Sequence, residues 1–483
     1  MPGYSSEMLE ISRKASGCGT TFSSASSARV ARSQAIVLLM AFGLVLLPAA
    51  FGAEQWRAGA ASTRITPEKP LWMTGYGFRE RPADGTALDL NAKALALEDP
   101  QGQRGVLLAV DLCGLTRAIT DRVASRLETS HGLPRSAVMV NVSHTHCSPF
   151  IEGYLEGLRE FPASVREEIT TYRLWLEDRL TEVAAKALDA LRPVSLAASE
   201  DSADFAVNRR NNPADQVPER RAAGTLVGPV DHRVPVLTLR APDGKLVAVV
   251  TSYACHNTTL NFFQWHGDYA GVAQRELETR HPGAIALFAS GCGADSNPLP
   301  RGDLTFVETY GRALADAVDR AMAKPQKTVS GRFASAWKDL PLAFDHAPTS
   351  EELTAAAAST QAIDRLWARR MQARLRKGPL PSSYTYPLQA WQIGEIAWLA
   401  LGGEVVVDYS LRLRRENAGN LWVLGYSNDV MAYIPSERVL TEGGYEGQTS
   451  MKVYDHPSGW KPGLEEQISE AAAALLKTVS GAK

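Results

Sequence analysis

The sequence predicts an α/β protein, a large mixed-sheet domain with helices around it, and three observations lead there. From Ala58 onward, short apolar runs bounded by Gly, Pro or Asp alternate with longer segments of helical period, the pattern of strands joined by crossing helices. The 483 residues are 45% hydrophobic and 22% charged, an ordinary globular composition with ample material for a large core. No internal repeat or low-complexity linker interrupts the body, so residues 54–483 read as one domain.

Strands are expected at 92–97, 105–111, 137–142, 233–239, 246–253 and 284–289, each an apolar run closed by turn-forming residues. A further strand pair is expected near 390–401 and 421–426. Helices are expected at 116–130, 164–191, 269–280, 304–323 and 350–376, the last rich in Ala, Arg, Leu and Glu. The tail, 462–478, reads as one amphipathic helix whose Leu464, Ile468, Ala471, Ala472 and Leu475 would lie back on the body. The longest irregular stretch, 199–230, exceeds the usual loop length of roughly 12–15 residues, a property of functional loops.

Residues 1–53 have a different character. A Ser-rich basic stretch with Arg13, Lys14, Arg29 and Arg32 precedes an apolar run from Ala35 to Ala50, broken by Pro48 and followed by Gly52 and Ala53. This is a basic leader plus export signal, which implies a secreted or periplasmic protein. A retained membrane anchor is the alternative, because about 16 apolar residues approach the ~20 that a spanning helix needs.

Net charge is −2, and no Lys/Arg run marks the body, which excludes a nucleic-acid footprint. Cys18 falls in the leader. Cys113, Cys147, Cys255 and Cys292 allow zero, one or two disulfides in an oxidising compartment; none sits in CxxC spacing, which argues against a thiolate zinc site. They are expected as small buried hydrophobes.

The residues that carry chemistry cluster just after expected strands. Ser143-His144-Thr145-His146 stands where the strand at 137–142 runs out into a loop; side chains on a strand alternate faces, so His144 and His146 point the same way. The pair suits one metal ion or one substrate, and equally a pair of buried hydrogen bonders. Tyr253-Ala254-Cys255-His256 ends another strand, and two strand ends can bring two histidines to one ion. Ser290-Gly291-Cys292-Gly293-Ala294-Asp295-Ser296-Asn297-Pro298 is a glycine-broken turn after a third strand. It lacks the Gly-Lys-Ser/Thr ending of a phosphate loop and the Gly-x-Ser-x-Gly of a nucleophile elbow. Leu401-Gly402-Gly403-Glu404, the segment Asn428 to Pro435 around Tyr433, and Gly443-Gly444-Tyr445-Glu446 complete the set.

Taken in this order, the motifs resemble the neutral/alkaline, non-lysosomal ceramidase family. The likeness runs from Ala58 to Gly447 and includes Ala61-Ser62-Thr63-Arg64-Ile65-Thr66-Pro67, Met73-Thr74-Gly75-Tyr76-Gly77 and His144-Thr145-His146. The resemblance implies Zn2+ bound by His144, His256, Glu404 and Tyr433, the phenol being a weak ligand that can move aside. It further implies that His146, Arg209 (after Asn208) and Tyr445 face the scissile carbonyl, Arg209 and Tyr445 as oxyanion donors.

Several features depart from the family's pattern. The family's serine is followed by Pro-Asn, whereas Ser296 is preceded by Asp295 and followed by Asn297-Pro298. An ion-activated water is favoured over Ser296 as the nucleophile, because the ion lowers the pKa of its water from about 15.7 toward ~7. His-Thr-His is followed by Cys147-Ser148-Pro149 in place of Ser-Gly-Pro, and the family's C-terminal β-sandwich domain is expected to be lacking. Asp268 and Asp295 are candidates either to support a metal-bound histidine or to serve as a helix cap and a turn residue. The implied activity is zinc-dependent hydrolysis of an amide in a small-molecule or lipid N-acyl substrate, with membrane-surface contact and no nucleic acid. Alternatives are an ester or amino-sugar amide as substrate, and a metal-organised binding module without turnover.

Overall fold

The computed structural model of the chain describes residues 55–417 and 419–481; the leader and export signal expected over 1–53 lie outside the described residues. Three sheets share one topology. In the first, β1 (Arg57–Arg64), β2 (Asn91–Glu98) and β3 (Arg104–Val110) pair antiparallel in turn. Helix α1 (Arg117–His131) then crosses to β4 (Val138–Val142), which pairs parallel to β3. A parallel pair cannot be closed by a hairpin, which is why a helix intervenes.

Helix α2 (Ala163–Asp189) packs on β1 and β2 and leads into the second copy of the pattern. There β5 (Ser195–Ser202), β6 (Arg233–Arg240) and β7 (Leu246–Tyr253) form an antiparallel series, and α3 (Asp268–Arg280) crosses to β8 (Ile285–Ser290), parallel to β7. Helix α4 (Leu304–Ala323) leads to the third copy. It comprises β9 (Phe333–Ala343), an excursion through α5 (Ser350–Ala357) and α6 (Ala362–Leu375), then β10 (Ser383–Ile393) and β11 (Ile396–Leu401). Helix α7 (Val407–Glu416) crosses to β12 (Asn420–Leu424), parallel to β11. The sequence shows no repeat because the connections differ in length and content; the repeat is one of backbone topology alone.

The inner strands are buried on both faces, β2, β6 and β7 almost throughout, so they read as continuous apolar runs and were legible. One core spans the first two sheets and takes in one face of the third, with Trp391, Trp398 and Trp422. A second sits on β10 and β11 and is covered by α8 (Leu464–Gly481). Ile468, Ala472 and Leu475 of α8 face that core as expected.

Differences from the expected elements have local causes. The expected helix over 350–376 is two helices, because the Ser359 hydroxyl accepts from Gln361 N–H and donates to Asp364, ending α5 and starting α6. The stretch 199–230 is partly ordered into a strand at Ala206–Asn208 and a helix at Val217–Ala223. Strand β9 carries Lys338, Asp339 and Pro341 and is half exposed, so no apolar run announces it. All four cysteines of the body are free and buried.

One polar side chain knits the three sheets together. Asn141, fully buried in β4, donates to Gly425 O (2.8 Å) and Ser427 Oγ (3.0 Å) beyond β12, and accepts from Ser290 N (2.7 Å) at the end of β8. Asn141→Val keeps a strand-compatible shape but leaves the buried Ser290 N–H without its acceptor and removes the bonds to Gly425 O and Ser427 Oγ, which keep each other as partners. With that orphan worth about 1–3 kcal/mol and each lost hydrogen bond about 1 kcal/mol, the variant should lose about 3 kcal/mol of stability. A thermal midpoint equal to the wild type would contradict this role.

Candidate metal centre

The parallel strand pairs of the three sheets end at one place. His144 lies just beyond β4, His256 just beyond β7 and Glu404 just beyond β11, so each sheet delivers one side chain. All three are buried. His144 Nε2 and His256 Nε2 each stand 3.2 Å from the same atom, Glu404 Oε2.

The outer edges of both rings are fixed by main-chain carbonyls. His144 Nδ1 donates to Cys113 O at 2.6 Å and His256 Nδ1 to Gly293 O at 3.0 Å. With Nδ1 protonated, each ring turns a lone pair inward from Nε2. Glu404 Oε2 is buried and makes no hydrogen bond, despite its two close nitrogens. Three acceptors thus face one point. Ligands bonded at 2.0–2.2 Å to a tetrahedral ion lie roughly 3.3 Å from one another, and the observed 3.2 Å fits that spacing. The cluster could therefore hold a metal ion.

The electrostatics report the same frustration. Burial disfavours charge on His144, but the Glu404 carboxylate outweighs it and pushes the ring up to about 10. Burial also opposes ionisation of Glu404, yet the two imidazoles hold it well below the usual carboxylate range. His256 falls to about 4 through burial and the Arg209 guanidinium.

Tyr433 comes to the site through main-chain pairing. Residues Glu404–Val405 and Tyr433–Ile434 form a short parallel ladder in which Glu404 and Tyr433 are register partners. The phenol oxygen lies 3.4 Å from His256 Nε2 and accepts from Arg209 Nη2 at 3.1 Å. Arg209 is placed by a second ladder, Ala206–Asn208 against Ser296–Pro298, and by its N–H on Asp295 O. Its Nε donates to Glu446 at 2.7 Å and its Nη1 to Asn297 Oδ1 at 3.3 Å, leaving two of its five donors uncommitted.

His146 Nε2 is 3.1 Å from His144 Nε2, and its ring meets Tyr76 edge-on. Burial and the neighbouring His144 and His256 keep it well below the ordinary histidine range. Tyr445 is half exposed at the rim, its ring 5.3 Å from that of Tyr433. The Ser296 hydroxyl is buried without a partner, while its carbonyl accepts from His256 N at 2.8 Å. All eight expected site residues thus lie in one neighbourhood.

One expectation needs correction, and two open alternatives resolve. His144 and His146 do not converge by strand alternation: β4 ends at Val142, and His144 takes a left-handed backbone (φ 59°), a costly conformation for a side chain with a Cβ. Asp268 does not touch either ring; it accepts from Thr259 N, Leu260 N and Tyr269 N and shapes the loop after His256. Asp295 likewise supports no histidine. It accepts from Val407 N at 2.9 Å and Asn208 Nδ2 at 3.2 Å, tying the serine turn to the segments that carry Glu404 and Arg209.

Tyr454 and Tyr426 were not anticipated. The Tyr454 hydroxyl donates to Glu404 Oε1, and the Tyr426 ring lies 4.5 Å from that of His144. Neither stands in a motif that sequence reasoning recognises. A second cluster, Cys113, His144 and His146, also has metal-ligand spacing. Cys113 Sγ approaches His144 at Nδ1, whereas His146 approaches Nε2, so one ion cannot use both edges of the ring.

Residues 56–313 match the family model described as neutral/alkaline non-lysosomal ceramidase, N-terminal. The neutral ceramidase of Oryza sativa subsp. japonica is 28% identical over 188 residues, covering 37% of this chain and 24% of that protein. Neutral ceramidase 2 of Arabidopsis thaliana is 27% identical over 274 residues, covering 53% of this chain and 33% of that protein. The chain thus spans 24% and 33% of the length of these two relatives. The crystal structure of neutral ceramidase from Pseudomonas aeruginosa superposes with a TM-score of 0.67 at 19% identity, over 88% of this chain and 75% of that one. A ceramidase complexed with C2 gives the same TM-score at 18% identity. The matched segment contains His144, His146, Arg209, His256 and Ser296, while Glu404, Tyr433 and Tyr445 lie beyond it.

Two glycines separate the triad from its neighbour. A Cβ on Gly293 would overlap the backbone of Ala254 and Cys255 and displace His256; one on Gly75 would overlap the His146 ring. Gly293→Ala should lower affinity for a divalent cation by about 10-fold or more, while Gly75→Ala retains it. Competition with a metal-sensitive dye measures both. Equal affinities would mean that His256 is not part of the centre.

Proposed function

The chain belongs to the neutral/alkaline non-lysosomal ceramidase family, and on that premise we propose that it is a zinc-dependent amidase of N-acyl substrates of the ceramide type. The observation that carries the reading is the convergence of His144, His256 and Glu404 on one point, with Glu404 Oε2 otherwise unpartnered. Two imidazoles, a carboxylate and a nearby phenol form a borderline nitrogen and oxygen donor set that suits zinc. Bound there, zinc would polarise an acyl carbonyl and bring the pKa of a water toward ~7.

The chain's own residues then have distinct tasks. His144, His256, Glu404 and Tyr433 hold the ion, the histidines through Nε2 because the Cys113 and Gly293 carbonyls occupy Nδ1. Arg209 turns its uncommitted N–H groups toward the developing oxyanion, and Tyr445 adds a hydroxyl from the rim. His146, kept neutral by its surroundings, accepts a proton at Nε2 and returns it to the leaving amine. The partnerless Ser296 hydroxyl has no base at hydrogen-bond distance to activate it, which supports water as nucleophile.

The basic leader and apolar segment support export to a secreted or periplasmic location, where lipid substrates would be met at a membrane surface. Among the described residues, no helix is long and apolar enough to cross a membrane.

The purified, zinc-loaded chain should hydrolyse an N-acylsphingosine, lose that activity on chelation and regain it with zinc. Arg209→Met should lower kcat by about 10²-fold, and Ser296→Ala should leave it within a few-fold. Turnover that survives complete chelation would overturn the metal mechanism. Cleavage of O-acyl but not N-acyl compounds, still chelator-sensitive, would keep the metal and overturn the amide.

A further inference from the structure

The two oxygens of Glu404 have different surroundings. Oε2 faces the imidazoles, and Oε1 accepts a hydrogen bond from one residue, Tyr454. No motif marks Tyr454, and it lies outside the segment that matches the family model. Its ring packs edge-on against Tyr154 and Tyr433, with centroids 6.1 and 6.3 Å away, so the hydroxyl is aimed by packing on both sides.

The loop that carries Tyr454 is fastened to α6 on both flanks. Before it, Lys452 Nζ pairs with Asp364 at 2.7 Å. After it, Arg374 donates to Asp455 O at 2.7 Å and pairs with the Asp455 carboxylate, which Arg370 also reaches at 3.2 Å. Trp367 Nε1 donates to His456 O at 2.7 Å. Asp455 itself takes a left-handed backbone (φ 63°), a conformation that the surrounding contacts must impose. The excursion through α5 and α6, inserted between β9 and β10, thus reaches the metal centre through one loop.

We propose that Tyr454 is a positioning residue that pins Oε1 of Glu404, so that Oε2 alone is presented to the ion, and that α6 is the buttress that holds it there. This rests on the reading of His144, His256 and Glu404 as zinc ligands. A carboxylate free at both oxygens can swing between one-oxygen and two-oxygen binding; the hydroxyl removes that freedom at no cost in ligand number. Such outer partners typically contribute 10–100-fold to metal affinity.

The test follows zinc rather than turnover. Wild-type zinc content is measured first, and then the rate of transfer to a chromophoric chelator is compared in wild type, Tyr454→Phe and Arg374→Met. Tyr454→Phe keeps the ring and its packing, so the fold should persist by circular dichroism. Zinc release should be about 10-fold or more faster in Tyr454→Phe and accelerated to a smaller degree in Arg374→Met. In the cobalt-substituted protein the visible bands of Tyr454→Phe should weaken as the carboxylate gains a second bond to the ion. Release at the wild-type rate with an unchanged cobalt spectrum would overturn the role of Tyr454 and leave the zinc reading standing. Faster release in Tyr454→Phe alone would overturn the buttress. A wild-type chain that binds no zinc would overturn the zinc reading and this inference together.

Discussion

Three lone pairs that face one another in a buried site repel unless something positive sits between them. In this protein they belong to His144, His256 and Glu404, and their surroundings are arranged so that none can turn away. Main-chain carbonyls hold the outer edges of both rings, and a tyrosine holds the outer oxygen of the carboxylate. Such an assembly stabilises a cation far better than it stabilises itself, because the buried carboxylate has no other full compensation. The fold therefore carries a local instability that only a ligand or a proton relieves.

That arrangement explains why the chain needs three sheets. Each contributes the loops beyond a parallel strand pair, and each supplies one member of the triad. Convergence requires the three strand ends to be held in fixed register, which Asn141 achieves by bonding across all three. A polar group at the centre of an apolar strand is expensive unless every atom is satisfied; here it is satisfied only when the sheets are correctly docked. The left-handed turn at His144 belongs to the same logic, since strain at one residue is tolerated where the neighbouring structure dictates it.

Much of this was legible in the sequence, and the reasons for the rest are specific. Runs such as Leu246–Tyr253 announce themselves because burial on both faces leaves no polar position. The motifs around His144, His256 and Ser296 were visible because each follows such a run, whereas Arg209, Glu404, Tyr433 and Tyr445 stood out only through the family resemblance. Strand β9 was hidden, since its exposed Lys338 and Asp339 erase the apolar pattern. Asn141 left a trace, the single amide in Val138–Val142, but nothing local says that its partners lie at Ser290 and Gly425. Tyr454 left none: its partner is Glu404, fifty residues away, and its loop is defined by ion pairs to α6. Asp268 and Asp295 show the converse, as aspartates beside site motifs that shape loops rather than support the histidines.

The central claim is that one zinc ion is bound by nitrogen and oxygen donors from His144, His256, Glu404 and Tyr433. X-ray absorption at the zinc edge of the loaded protein tests it most directly. The account predicts a first shell of nitrogen and oxygen at about 2.0–2.2 Å, with multiple scattering from two imidazoles and no sulfur. A sulfur neighbour at about 2.3 Å would place the ion at Cys113 instead and contradict the account.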